Sequence, residues 1–179
     1  MSRVTLLGRD GVASEMQALY DALLAQRGVV PNMFKVLAHT PAIAQGVAGF
    51  LKPLLSNGAL TGSYKELVAV RISILHNSEY AVRAHGASAK IKGASEEQIT
   101  AVKDFETGPF SEKEKFGFRL ADKLHIGARE VDDAFYAQLQ QVFTEAEMVE
   151  LFLTAAAFEM FPRFVDGLRI PITPLPGAK

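Results

Sequence analysis

Glu66 and His85 are the residues whose types and spacing point first to chemistry. A carboxylate hydrogen-bonded to one imidazole nitrogen fixes the ring's tautomer and leaves the other nitrogen free to move a proton. Helical periodicity sets Glu66 on one helix, whose stripe continues through Val70, Ser73 and Asn77. On the next helix Ser78, Ala81 and His85 fall at i, i+3 and i+7, which puts them on one face. A short connection near Asn77 folds the two helices into a hairpin and brings Glu66 towards His85. Each residue also has a plainer role. Glu66 follows Ser63 by three positions, as the acidic half of a capping box does. A lone helical histidine fits a hydrogen-bonded structural residue. Ser78 fits an N-cap, and the chain has no Gly-x-Ser-x-Gly elbow that would make it a nucleophile. Tyr80 either orients a substrate or packs its ring. Arg71 and Arg83 either hold a substrate carboxylate or lie in surface ion pairs.

The elements that must position these groups are helical. No segment shows sustained apolar/polar alternation. The first helix is expected from about Ser14 to Gln26, with Met16, Leu19, Tyr20, Leu23 and Leu24 as its stripe and Gly28 as its stop. Pro31 opens a short helix through Leu37 and Pro41 another through about Leu55, proline being tolerated in a first turn. Thr61-Gly62-Ser63 opens an apolar helix to about His76, and a further helix runs from Glu79 to Lys92, ending at Gly93. Capping boxes are expected at Ser95 with Gln98, Ser111 with Glu114, and Thr144 with Glu147. The last helix, Thr144 to about Phe161, is apolar around much of its circumference, which implies burial on several sides, in a core or against another subunit. Pro162 is expected to disrupt its end. The expectation is one all-α domain over 1–179, with an extended segment 1–12 and a proline-rich tail 170–179.

Composition narrows the function classes. The 179 residues carry a formal net charge of -1, which gives no electrostatic reason to expect nucleic acid or an anionic membrane as partner. Cysteine is absent, so disulfides and thiolate metal sites are excluded. His39, His76, His85 and His125 lack a ligand spacing such as His-Glu-x-x-His, and although His76 and Glu79 stand near one another, nothing requires a metal. No metal and no cofactor are expected. The longest apolar run, Leu151 to Phe161, is interrupted by Thr154 and Glu159 and falls below the ~20 residues that span a bilayer. The N-terminal apolar stretch is too short for a signal peptide, so a cytoplasmic protein is expected.

The stretch Asn77-Ser78-Glu79-Tyr80-Ala81-Val82-Arg83-Ala84-His85 reads as a Cys-x-x-Cys-x-x-x-His motif with Ser78 and Ala81 where the sulfurs would be. With eleven residues between Glu66 and Ser78, with Lys65-Glu66-Leu67-Val68 and Gly93-Ala94-Ser95-Glu96-Glu97-Gln98-Ile99 flanking, and with Arg27-Gly28-Val29-Val30-Pro31-Asn32-Met33-Phe34 upstream, the chain resembles the carboxymuconolactone decarboxylase and alkylhydroperoxidase D-like (AhpD-like) superfamily.

The resemblance implies an all-α AhpD-like helical bundle with a central antiparallel hairpin, assembled as trimers or multiples of trimers with the site near a subunit boundary. In the peroxidase branch the glutamate and histidine relay protons to and from the thiols. Here Glu66 and His85 are kept and both sulfur positions are not. A serine hydroxyl does not cycle through sulfenic acid or disulfide, so thiol peroxidase activity is disfavoured. The decarboxylase branch, which keeps the histidine without the cysteines, is the closer analogue. The leading expectation is a cofactor-independent lyase or isomerase acting on a small carboxylate or lactone. His85 is then the general acid/base and Glu66 its orienting partner, with Ser78, Tyr80, Ala81, Arg83 and Arg71 about the substrate. The alternative is a relative that binds a small ligand and catalyses nothing.

Overall fold

Hydroxyl and acidic residues at helix starts set the framework of the structure, a computed structural model that describes residues 2–174. Met1 and residues 175–179, which include Pro176 of the expected tail, lie outside the described residues. Among the described residues there are nine α-helices and no strand: α1 Ser14–Arg27, α2 Asn32–Leu37, α3 Pro41–Leu54, α4 Gly62–Leu75, α5 Glu79–Ile91, α6 Glu96–Ala101, α7 Glu112–Ile126, α8 Asp133–Val142 and α9 Glu145–Gly167. All three expected capping boxes form. Ser95 and Ser111 exchange hydrogen bonds with Gln98 and Glu114, and Thr144 does so with Glu147. Gly28 ends α1 in the left-handed region at φ 68°, its N–H bonding the Leu24 carbonyl.

Two elements differ from expectation. The segment before α1 is not wholly extended, because Arg9–Gly11 forms a single 3-10 turn. Pro162 does not end the last helix, which continues to Gly167. A proline removes one backbone bond and crowds the carbonyl four residues back. Against that cost, Phe161 and Val165 on either side of it are buried, at 6% and 1% exposure. Burying two large apolar side chains, each worth about 1.5–3 kcal/mol, holds the helix through the proline.

The chain divides into two compact units, Met1–Lys52 with Phe164–Lys179, and Pro53–Arg163. In the first, Met16, Tyr20 and Leu23 of α1 pack with Phe34, Leu37 and Ala44. Asn32 ties down the described part of the tail. Its backbone N–H donates to Thr173 Oγ1 at 2.9 Å and its side-chain amide to the Pro171 carbonyl at 3.0 Å.

The second unit is organised around α4, which is buried on every side. Leu67, Val68, Val70 and Ile72 are at most 2% exposed. Its Thr61 cap accepts from the Tyr64 N–H. At the far end Asn77 takes the left-handed region at φ 53° and the Ser78 N–H reaches back to the Ser73 carbonyl at 3.0 Å, closing the helix as a Schellman turn does. Asparagine tolerates that conformation better than most residues. This turn sends α5 back along α4, giving the expected antiparallel hairpin. Helix α7 packs on another side of α4, with Gly117 facing Tyr64. A Cβ there would lie 1.9 Å from the Tyr64 hydroxyl, which donates to the Glu114 carbonyl.

Helix α9 carries a line of solvent-facing apolar residues at spacings of four, three and four: Val149, Leu153, Ala156 and Met160.

Candidate functional site

The neighbours Lys65 and Glu66 are both buried, at 1% and 0% exposure, and successive helical positions point them to different sides of α4. The Lys65 ammonium meets Glu150 Oε2 of α9 at 2.8 Å, and Glu150 also accepts the Ala59 and Leu60 N–H groups at 2.9 and 3.1 Å. Glu66 faces α5. His85 Nδ1 lies 2.7 Å from its Oε2, the Ser88 hydroxyl donates to Oε1 at 2.6 Å, and the Lys92 ammonium donates to Oε1 at 2.5 Å and to the Leu55 carbonyl at 2.8 Å. The capping-box reading of Glu66 is therefore replaced. Thr61, not Ser63, caps α4, and both carboxylate oxygens are taken by α5.

Burial alone would push the Glu66 carboxyl up. The His85 hydrogen bond and the charges of His85 and Lys92 outweigh it and hold the pKa down to about 2. The carboxylate is thus a fixed anion that orients the His85 ring through Nδ1. The edge of that ring meets Phe158 of α9, with centroids 4.4 Å apart and planes at 75°. The side chain keeps 15% exposure. Among the described residues no buried side-chain nitrogen or oxygen lacks a partner, and Nε2 has none, so Nε2 is reached by solvent. An imidazole locked at Nδ1 and open at Nε2 is equipped to deliver or accept a proton.

The other expected site residues divide. Ser78 is 1% exposed and its oxygen caps α5 by accepting from the Ala81 N–H at 3.4 Å. Ala81, buried, stands one turn before His85 on the same face, and Tyr80 is also buried. Arg83 is exposed and pairs with Glu79 at 2.7 Å. Arg71 is held in a fork by Asp122, at 2.6 and 2.9 Å, with a further bond to the Lys103 carbonyl at 2.8 Å and the Phe105 ring beneath it. It lines a cleft with Glu106, Arg119 and Lys123 that includes none of the partners of Glu66. Sequence reasoning missed Ser88 and Lys92, although both stood in plain view: they follow His85 by three and seven positions and so share its helical face.

A second cluster was not legible as a motif. His76 at the end of α4 and His125 in the last turn of α7 hold the two oxygens of Glu159 on α9, Nε2 to Oε2 at 2.8 Å and Nδ1 to Oε1 at 2.9 Å. The rings stand edge to face, 4.7 Å apart. Arg163 adds a bond to Oε2 at 2.8 Å. Burial would raise the Glu159 carboxyl, but bonds from His125, Arg163 and His76 hold it below the usual range. His76 thus partners Glu159, while the nearby Glu79 serves Arg83.

The architecture defines the class of protein. The chain has the AhpD-like helical fold: it is similar to an uncharacterised peroxidase-related protein with an alkylhydroperoxidase AhpD core from Ralstonia eutropha JMP134, with TM-score 0.88 and 22% identity over 96% of this chain and 92% of that one. A peroxidase-related protein from Silicibacter sp. TM1040 is similar at TM-score 0.87 and 19% identity, over 96% and 92% of the two chains. A cysteine-to-alanine variant of the debrominase Bmp8, in complex with 2,3,4-tribromopyrrole, is similar at TM-score 0.83 and 17% identity, over 95% and 91%. Within this fold, residues 41–122 match the Carboxymuconolactone decarboxylase family, so the resemblance read from the sequence holds over that segment, in a chain without cysteine. Comparison with curated proteins gives no significant match.

Proposed function

We propose that the protein is a cofactor-independent lyase or isomerase that moves a proton at a small carboxylated or lactone-like substrate. The observation that carries this reading is the Glu66–His85 pair, locked at Nδ1 at 2.7 Å and open at Nε2. In a decarboxylation the carboxylate leaves as CO2, the electron pair of the breaking carbon–carboxylate bond moves into the conjugated carbonyl, and the Nε2 proton is delivered to the resulting carbanionic carbon. Water then returns a proton to Nε2. Glu66 holds the ring by Nδ1 while Nε2 works, and the Lys92 ammonium at 2.5 Å shares the carboxylate's charge. Ser78 and Ala81, on the face of α5 that carries His85, border the substrate. The Ser78 O–H is still able to donate while its oxygen caps the helix.

Arg71 is committed to Asp122 and the Lys103 carbonyl. Arg83 stands two positions before His85, and so about 200° round α5, and pairs with Glu79 on that other side. In this reading neither holds the substrate carboxylate at His85 within one chain. Thiol peroxidase chemistry finds no sulfur nucleophile in a chain with Cys 0. We place the protein in the cytoplasm as a homo-oligomer, a trimer or a multiple of trimers, with α9 at the contact. Among the described residues no helix is long and apolar enough to cross a membrane.

The test is His85→Ala, assayed for product against a panel of unsaturated lactone carboxylates on which the wild type is active. Turnover falls by about 10²–10⁴-fold with the helical circular dichroism unchanged. Full turnover in that variant would overturn the assignment. The second reading is a small-ligand binder without turnover; it draws on the Bmp8 variant, a chain of similar fold that holds 2,3,4-tribromopyrrole with one cysteine replaced. Saturable binding with no product at any pH selects it.

A further inference from the structure

We infer that His76, His125 and Glu159 form a binding site for a divalent first-row transition ion, separate from the Glu66–His85 pair. The two sites share no residue. The donor set is two imidazole nitrogens and a carboxylate oxygen, which suits zinc and its neighbours in the series and leaves coordination positions for water. The three ligand atoms lie within 4.8 Å of one another and come from the C-cap of α4 and from helices α7 and α9. None of the three side chains is fully exposed, the values being 13% for His76, 27% for His125 and 15% for Glu159.

Bonds of about 2.0–2.2 Å to a tetrahedral centre place ligand atoms roughly 3.3 Å apart. His76 Nε2 and His125 Nδ1 meet different oxygens of Glu159, at 2.8 and 2.9 Å, so an ion entering between the rings either takes both carboxylate oxygens or draws together ligand atoms that now lie within 4.8 Å. Each ring already directs a nitrogen at the carboxylate, so ion entry requires no ring flip. The remaining histidine, His39, serves the Thr5 carbonyl at 2.9 Å and is not part of the set.

A purely structural account of the cluster also exists. In it the Glu159 carboxylate simply ties together the two rings at the ends of α4 and α7 by hydrogen bonds. The two accounts separate on Arg163, whose guanidinium lies 2.8 Å from Glu159 Oε2 and whose side chain is 60% exposed. It opposes a cation in the site, so its removal strengthens ion binding, whereas a structural cluster without ion affinity gains none.

The experiment is calorimetric titration of chelator-treated full-length protein with ZnCl2, repeated with Co2+ to read its visible d–d bands. The wild type is expected to take one equivalent of Zn2+ at about micromolar affinity or tighter. Free Zn2+ at about 100 times Kd then raises the thermal midpoint by roughly 5–10 °C. His125→Ala and Glu159→Gln abolish the uptake. Arg163→Gln, which removes no ligand and keeps the test available should those two fail to fold, tightens it about two- to five-fold. Absence of Zn2+ and Co2+ uptake by both wild type and Arg163→Gln would overturn the inference. So would equal uptake in folded His125→Ala or Glu159→Gln.

Discussion

At the scale of single residues, Glu66 decides how the site behaves in acid. Its carboxyl falls from an ordinary 4.5 to about 2 in the folded protein, because the His85 hydrogen bond and the charges of His85 and Lys92 outweigh burial. A carboxyl depressed on folding stabilises the native state above its unfolded pKa, and that contribution is lost as pH falls through the folded value. The window is therefore pH 4.5 down to 2, and the contribution is about 3 kcal/mol. Urea unfolding of wild type and Glu66→Gln across this range should show the difference between them shrinking by about that amount at the acid end. A difference independent of pH would mean that Glu66 is not ionised in the fold. The spacing of Glu66, Ser78 and His85 made the pair legible, since two helices joined by a tight turn leave few other ways to place them. The triple occupancy of Glu66 was legible only in part. Ser88 and Lys92 lie on the right face, but sequence alone does not say that a serine and a lysine turn inward instead of towards water.

At the scale of elements, α4 is a helix whose two consecutive charged residues are both inside. Lys65 is 1% exposed and depends on Glu150, which burial would raise but which the Lys65 bond and the Ala59 and Leu60 N–H groups hold down. Removing one member of a buried ion pair leaves an uncompensated charge, whereas removing both leaves none. Glu150→Gln should therefore cost about 3–5 kcal/mol in chemical denaturation, and adding Lys65→Met should recover a large part of the loss. A double variant as unstable as the single one would show that the pair is not the cause. Helix existence and caps were readable here because hydroxyl and acidic residues announce helix starts. The fate of Pro162 was not, since local backbone cost favours a break there and the burial that offsets it is a tertiary property. The His76–His125–Glu159 cluster was hidden for the same reason: its members come from the C-cap of α4 and from α7 and α9, and show no spacing.

At the scale of the whole molecule, the exposed line on α9 is the feature a solitary chain leaves unexplained. Val149, Leu153 and Met160 are 66%, 46% and 52% exposed on one helix face. Large apolar stripes of this kind mark association surfaces. In the proposed homo-oligomer this stripe is covered, so Leu153→Glu with Met160→Glu should shift sedimentation of the wild-type assembly towards the single chain without loss of helical signal. An assembly unchanged by both charges would move the contact elsewhere. The sequence already hinted at this surface, because α9 reads as apolar around most of its circumference, but periodicity does not distinguish a core face from a subunit face.

The Lys65–Glu150 pair also orders events in time. Glu66 meets His85 only 19 residues along the chain, whereas Lys65 waits for a partner 85 residues away. Local contacts form early and distant ones late. The α4–α5 hairpin is therefore expected to assemble while the lysine on its other flank is still hydrated, and the docking of α9 is the step that dries it. Substitutions at Ser88 or Lys92 should slow refolding, while substitution at Glu150 should chiefly quicken unfolding.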